Sequence, residues 1–361
     1  MLRAAFALIA LCVSLLLVAS QPPTPAVTMD DIKKAWQDRE KQLDVVTIRW
    51  AEQVTKVKGS LNSIQATLKD QETTNNYPSK DTIYQLDCEL ALSGSLYRFN
   101  QSGPAWSIVN KAFRPMVVAD SDDGTKHTTC ESTSTNQTYG TAYLHPTKYD
   151  SLYQRLTSTT FLFAHLRGGD GTRGGYKLDQ YELSGHTLMI RTNRCIELVR
   201  KSRSRNLTQS LYLDSANGFR ILQSTKRGDD GILATFEVTY DVANPTHPTG
   251  WSFVGRGSGG QQSVSAKVTG IDFRGPSFDS DFPPGTRVID GRTANPKEFV
   301  VRDDGLEAGS VGANVGTTYD QLKALPPKSS SAIRMVVAGI ALVLLFGVVI
   351  VVFLRRKGVR A

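Results

Sequence analysis

The sequence predicts an α+β protein built on a large antiparallel β-sheet, and three observations carry that prediction. Apolar residues recur two apart in several stretches, most cleanly at Tyr84, Leu86, Cys88, Leu90 and Leu92, which is the period of a half-buried strand. Turn signals at Ser93-Gly94, Asp123-Gly124, Ser184-Gly185, Asn217-Gly218 and Asp230-Gly231 lie between strand-like stretches, as the positive φ of tight hairpin turns requires. The repeated β–α–β alternation of nucleotide-binding α/β folds is missing.

Taken from the N-terminus, residues 1–20 place one arginine, Arg3, before an apolar stretch that ends in Val18-Ala19-Ser20. That is the pattern of a secretory signal peptide cleaved before Gln21. Residues 21–27 open with Gln-Pro-Pro-Thr-Pro, an extended leader. Thr28 reads as a helix N-cap with Asp31 completing a short capping box. Ile32, Trp36, Arg39 and Leu43 then form one face of an amphipathic helix.

The period changes to two at Val46, Ile48 and Trp50, and again at Tyr84–Leu92, which returns through Ser93-Gly94 into Leu96–Phe99 as a hairpin. Further strands are expected at Met116–Ala119, Leu188–Ile190, Leu211–Leu213 and Ile232–Tyr240. Tyr149, Leu152, Tyr153 and Leu156 suggest a mid-chain helix running toward Phe161–Leu166, followed by the glycine-rich loop 168–175. These elements make residues 28–305 one domain. Gly, Ala, Ser, Thr and Pro dominate residues 306–334, a composition suited to a flexible tether.

Met335–Leu354 is a run of 20 residues with no charge or proline, long enough for a helix to cross a hydrocarbon core of roughly 30 Å. Arg355-Arg356-Lys357 follows at once, so residues 355–361 are expected on the cytoplasmic side and the body on the exported, periplasmic or extracytoplasmic side. The chain therefore reads as a single-pass membrane protein. Charge agrees with this. The 42 basic and 34 acidic residues give +8, but Arg3, Arg334, Arg355, Arg356, Lys357 and Arg360 flank the two apolar runs. Setting those six aside leaves 36 basic against 34 acidic residues, so a nucleic-acid partner is not expected.

Catalytic and metal-binding patterns are absent from the sequence. The 168–175 loop lacks the Lys-Ser/Thr pair of a phosphate loop. His127, His145, His165, His186 and His247 are scattered without zinc-ligand spacing. Gly250–Gly255 misses a nucleophile elbow by one residue. Asp120, Asp122 and Glu131 match three calcium-loop positions, but Gly124 is out of place, and an acidic hairpin turn is expected. The Arg200–Arg205 basic run lacks interleaved aromatics and reads as a solvated loop. No cofactor and no enzyme activity are expected. Pairing among Cys88, Cys130 and Cys195 is left open, as is the fate of the sequons at Asn100, Asn136 and Asn206.

Three stretches resemble the periplasmic half-barrels of the outer-membrane lipoprotein-carrier type. Leu211-Tyr212-Leu213-Asp214-Ser215-Ala216-Asn217-Gly218-Phe219 is similar to the family's strand, Asp, tight turn and Gly-aromatic hairpin. Trp251-Ser252-Phe253 lies where members often carry a strand-opening Trp. Phe278 through Asp290, with Phe282-Pro283-Pro284-Gly285-Thr286-Arg287-Val288-Ile289-Asp290, resembles the ending of many exported members. The resemblance covers residues 28–302 and implies a strongly curved antiparallel half-barrel of about 10–11 strands. Its N-terminal and mid-chain helices would lie on the concave side, here with a terminal transmembrane helix added. It implies a concave apolar face that takes acyl chains of a lipid or lipoprotein. On the strand phase, Ile48, Trp50, Tyr84, Leu86, Leu90, Leu92, Tyr97 and Phe99 would line that face. The same pattern also describes a face filled by the protein's own side chains, in a structural or sensory envelope protein that works by contact with a partner protein.

Overall fold

The computed structural model describes residues 27–57, 80–107, 111–133, 140–146, 161–162, 165–166, 178–202, 206–229, 231–257, 260–278, 282, 285–292, 295–302, 305–308 and 319–320. They divide into two compact units, one comprising residues up to 42 with 161–229, the other 43–160 with 230–361.

In the smaller unit, helix α1 (Met29–Gln42) starts at a reciprocal cap. The Asp31 amide donates to Thr28 Oγ1 at 3.2 Å, and the Thr28 amide to Asp31 Oδ2 at 2.9 Å, which satisfies amides that the first turn leaves open. Strands β7 (Glu182–Ile190), β8 (Asn193–Ser202), β9 (Leu207–Asp214) and β10 (Arg220–Gly228) pair antiparallel in chain order. The β9–β10 turn is organised by Asp214, which is buried. Its carboxylate accepts from Arg220 Nε at 3.1 Å, Asn217 Nδ2 at 2.8 Å and the Ala216 amide at 3.1 Å. Phe219 sits at φ +54°, a strained setting for an aromatic residue. Its carbonyl accepts from Trp36 Nε1 at 2.8 Å, and Arg39 of the same helix donates to the carbonyls of His165 and Gly218. The apolar stripe of α1 therefore carries two donors that recognise a turn.

The larger unit holds strands β1 (Val45–Lys56), β2 (Thr82–Ser93), β3 (Leu96–Ser107), β4 (Ala112–Asp122), β5 (Lys126–Thr133), β6 (Thr141–Pro146), β11 (Gly231–Tyr240), β12 (Pro248–Gly257), β13 (Gly260–Asp272), β14 (Arg287–Asp290), β15 (Lys297–Arg302) and β16 (Gly305–Ala308). Their order across the sheet is β16-β15-β14-β6-β5-β4-β3-β2-β1-β13-β12-β11. Chain-order hairpins account for most neighbours. Two closures are long-range: β13 returns beside β1 antiparallel, and β14 joins β6 parallel.

The expected fold class needs correction. In place of an antiparallel half-barrel of about 10–11 strands with two helices and a terminal span, the described residues form sixteen strands, mixed rather than purely antiparallel, and one helix of several turns. Added strands come from Ser-, Gly- and Gln-rich segments such as β13, whose backbone pairs without a strong apolar alternation. The parallel β6–β14 ladder joins residues 146 positions apart, Thr141 with Arg287, beyond any local pattern. Of the mid-chain helix only 161–162 and 165–166 are described, as helical turns. Among the described residues no helix is long and apolar enough to cross a membrane. The stretch 335–354, like the signal segment 1–20, lies outside them.

Gly103 sets a limit on β3. At φ +148° it brings its backbone against β2, and a Cβ there would lie 2.6 Å from the Gln85 carbonyl oxygen. Gly103→Ala is therefore expected to destabilise the protein by about 1–3 kcal/mol, read as a lower denaturant midpoint at unchanged slope, whereas Gly270→Ala, with open space around its Cβ, should change the midpoint far less.

Candidate functional site

The eight residues expected to line an apolar face do share one. Across the β1–β2 ladder Val46 pairs with Leu92, Ile48 with Leu90, Trp50 with Cys88, Glu52 with Leu86 and Val54 with Tyr84. Across β2–β3, Leu92 pairs with Tyr97 and Leu90 with Phe99. Since residues two apart face alike, Ile48, Trp50, Tyr84, Leu86, Leu90, Leu92, Tyr97 and Phe99 fall on one side. Trp251 and Val264 join them from β12 and β13. Trp50 is the hub, its ring 5.3 Å from Trp251 in an edge-on contact and 6.1 Å from Phe99.

This face is closed. Seven of the eight residues are 0–6% exposed, and Leu90 has no accessible surface. Tyr84 alone is half-buried. It belongs to an aromatic group at the Thr82 end of β2, with Phe113 5.5 Å from Tyr84 and 5.3 Å from Trp106. Phe113 is 37% exposed, so this group is where the apolar face comes nearest to solvent.

Polar groups interrupt the face at two places that local sequence patterns do not reveal. Glu52 is buried, flanked by Trp50 and Val54 along β1 and by Leu86 and Ala266 across it. The Trp50 indole donates to its carboxylate at 3.1 Å. Burial, and secondarily the Glu52 charge, pushes the Tyr84 phenol up to about 12 and raises the Cys88 thiol as well. Both causes disfavour the Cys88 thiolate, the form in which a cysteine acts as a nucleophile. Cys195 is raised to about 11, by burial and then by Asp214. All three described cysteines are buried thiols outside any disulfide, and Cys130 lies on the opposite face from Cys88.

The second polar group spans β3, β4 and β5. Tyr97 donates its hydroxyl to Asp120 Oδ1 at 2.6 Å, and His127 Nε2 lies 2.8 Å from the same oxygen and 3.0 Å from the Tyr97 hydroxyl. Register explains the cluster: Tyr97 pairs with Asp122, Asp122 with His127 and His127 with His145, all on one face. Read singly, these residues looked like scattered histidines and an acidic turn. Only the pairing of four strands unites them. Tyr97, Asp120 and His127 are buried, so the cluster clamps three strands together rather than presenting reactive groups to solvent. Among the described residues no group of His, Cys, Asp and Glu is arranged to hold a metal ion.

The opposite face differs in kind. Arg49 and Arg98 grip Glu89 from two sides at 2.7 and 2.9 Å. Toward the other end of the same strands, Val254, Ser263, Thr55 and Ile83 pair in one uncharged row, with Ile83 66% and Val254 40% exposed.

No protein-family model matches the chain, and no curated protein matches it in sequence. Among solved structures, a DUF1329 family protein from Desulfovibrio piger aligns over 69% of this chain and 94% of its own, at 8% identity and a TM-score of 0.34. A crystal structure of MucB aligns over 80% of this chain and 84% of its own, at 11% identity and a TM-score of 0.28. The Pseudomonas aeruginosa MucA/MucB complex aligns over 75% of each chain, at 10% identity and a TM-score of 0.26. Superpositions at this level leave fold and site to be read from this chain alone.

Next to the clamp, His145 has its pKa lowered, first by desolvation and then by His127, with Asp120 opposing. A histidine depressed in the folded state binds protons more readily when unfolded, so its share of stability is complete above the ordinary value of 6.5 and is lost as pH falls below it. His145→Asn is expected to flatten the decline in folding stability between about pH 7 and pH 5, measured by denaturant titration across that range. An unchanged decline would assign the acid sensitivity to other groups.

Proposed function

We propose that the protein is an exported, non-enzymatic binding protein whose sheet core is filled by its own side chains and which acts by contact with another protein. The closure of the apolar face carries this reading: a face with Leu90, Ile48, Leu92 and Phe99 almost wholly out of reach is occupied already. Export rests on the secretory pattern of residues 1–20. On the opposite face, the uncharged row Val254, Ser263, Thr55 and Ile83, with an exposed apolar residue at each end, is the surface to which this reading assigns the contact.

A second reading, in which the face takes an acyl chain of a lipid or lipoprotein, is favoured by the half-exposed Tyr84, Trp106 and Phe113 rings at one end. The two readings part in a mutation and an extraction. With a filled core, Leu90→Ala should cost roughly 2–5 kcal/mol, and organic extraction of the purified protein should release no stoichiometric lipid by mass spectrometry. A clearly smaller cost, together with a co-purifying acyl compound and a saturable Trp50 fluorescence change on titration with a fatty acid, would favour the ligand reading instead.

A further inference from the structure

On the opposite face of the larger unit, the register lines up Ala119, Cys130, Ala142, Val288 and Phe299 across β4, β5, β6, β14 and β15. The first four side chains are smaller than the Phe299 ring at the end of the row, and we read the step between them as a shallow trough. Tyr319 lies in it. Its side chain is 3% exposed, belongs to the cluster formed with Cys130, Ala142, Leu144, Val288 and Phe299, and sits 5.7 Å ring to ring from Phe299.

Asp320 occupies the rim. Lys126 Nζ donates to its Oδ2 at 2.8 Å and Arg292 Nη1 to its Oδ1 at 3.1 Å, so each oxygen takes a different cation. Both cations are held in place by other carboxylates. Arg292 forks onto the buried Asp290 at 2.9 and 2.7 Å, and Lys126 Nζ lies 3.5 Å from Asp123. Tyr319 and Asp320 both adopt left-handed backbone, at φ +55° and +47°. Two such residues in succession are unfavourable for L-amino acids, so what holds them there is the surface they meet.

We propose that this trough and its two cations form a binding site for an aromatic–acidic residue pair in a peptide, and that the chain fills it with its own Tyr319-Asp320. The trough matches a planar ring, and the paired cations match a carboxylate one residue on. Val, Gly, Ala, Asn and Thr make up residues 311–318 before the pair, and Gln321, Leu322 and Lys323 follow it. Asp320 remains 44% exposed, and ion pairs at such positions are weak. Such a site requires its occupant to be exchangeable, so that a peptide with the same pair competes for it. This inference is independent of what the apolar face binds.

The test uses the full chain and a synthetic peptide of residues 315–324. A Tyr319→Ala, Asp320→Ala chain should bind the labelled peptide saturably and at least ten-fold more tightly than the wild-type chain, whose site is filled. The same peptide with Tyr319→Ala or Asp320→Asn should lose that binding. Trypsin cleavage after Lys323 should be several-fold faster in the Asp320→Asn chain than in the wild type, and this readout stands if the double variant does not fold. Absence of peptide binding by a cooperatively melting double variant, equal binding by variant and wild type, or equal cleavage rates would each overturn the proposal. A wild-type dimer that disappears in the double variant would show the pair to be exchanged between copies, overturning occupancy in cis.

Discussion

The register of β1 is the constraint on which the larger unit depends. β1 pairs along all twelve residues with β2 and nearly as far with β13, so its phase decides which side every neighbouring strand presents. Ile48, Trp50, Glu52 and Val54 look one way, Arg49, Gln53 and Thr55 the other. A slip of one residue would carry Trp50 to the side of Arg49 and expose the whole apolar set. The β13 ladder skips Thr269 between Arg49 and Trp50. That bulge lets Ile271 and Val268 meet Ile48 and Trp50 on the same side, where a regular ladder would have turned one of them away.

Charges on the opposite side mark the same register without supplying much energy. Glu89 stands directly across from Arg49 and diagonally from Arg98, and Arg98 also donates to the Ser277 carbonyl. Half-exposed pairs of this sort contribute at most about 1 kcal/mol. Their use lies in discrimination, because a slipped strand would place Glu89 among apolar residues. The Tyr97–Asp120–His127 clamp works differently. Buried and mutually bonded, it ties three strands at a place where the apolar alternation gives out, and breaking one member would leave the others in a low-dielectric interior without their partner.

What local sequence makes legible follows from these two kinds of contact. Tyr84–Leu92 and Val46–Trp50 alternate so strongly that the shared face of Ile48, Trp50, Leu90 and Phe99 could be read before any pairing was known. The Asp214–Phe219 turn and the Thr28–Asp31 cap are equally local, each needing only a few adjacent residues. The β12–β13 ladder was not legible, because backbone pairing of Ser- and Gly-containing segments leaves little mark on side-chain periodicity, and the parallel β6–β14 ladder was not, because it joins distant segments. Glu52 and His127 were missed for another reason. A single polar residue in an apolar phase looks like noise until the neighbouring strands bring Trp50 to one and Asp120 to the other. Tyr319 and Asp320, lying in a stretch whose composition suits a tether, show the same limit from the side of composition.

Magnitudes separate the two readings of the apolar face. Uncovering a large buried side chain costs about 1.5–3 kcal/mol, so exposing the seven closed residues together would cost on the order of 10–20 kcal/mol. That equals or exceeds the whole stability of a typical domain, about 5–15 kcal/mol. An acyl ligand would have to recover almost all of it before any affinity remained, even though its own burial yields about 0.8 kcal/mol per methylene. Only the Tyr84, Trp106 and Phe113 end, where solvent already reaches the rings, opens at a cost that a few methylenes match. That end is therefore where an apolar ligand would enter first, ahead of the Trp50–Trp251–Phe99 centre. A protein partner at the Ile83–Val254 row of the opposite face meets no such barrier, since these two residues are already in water and covering them only adds burial.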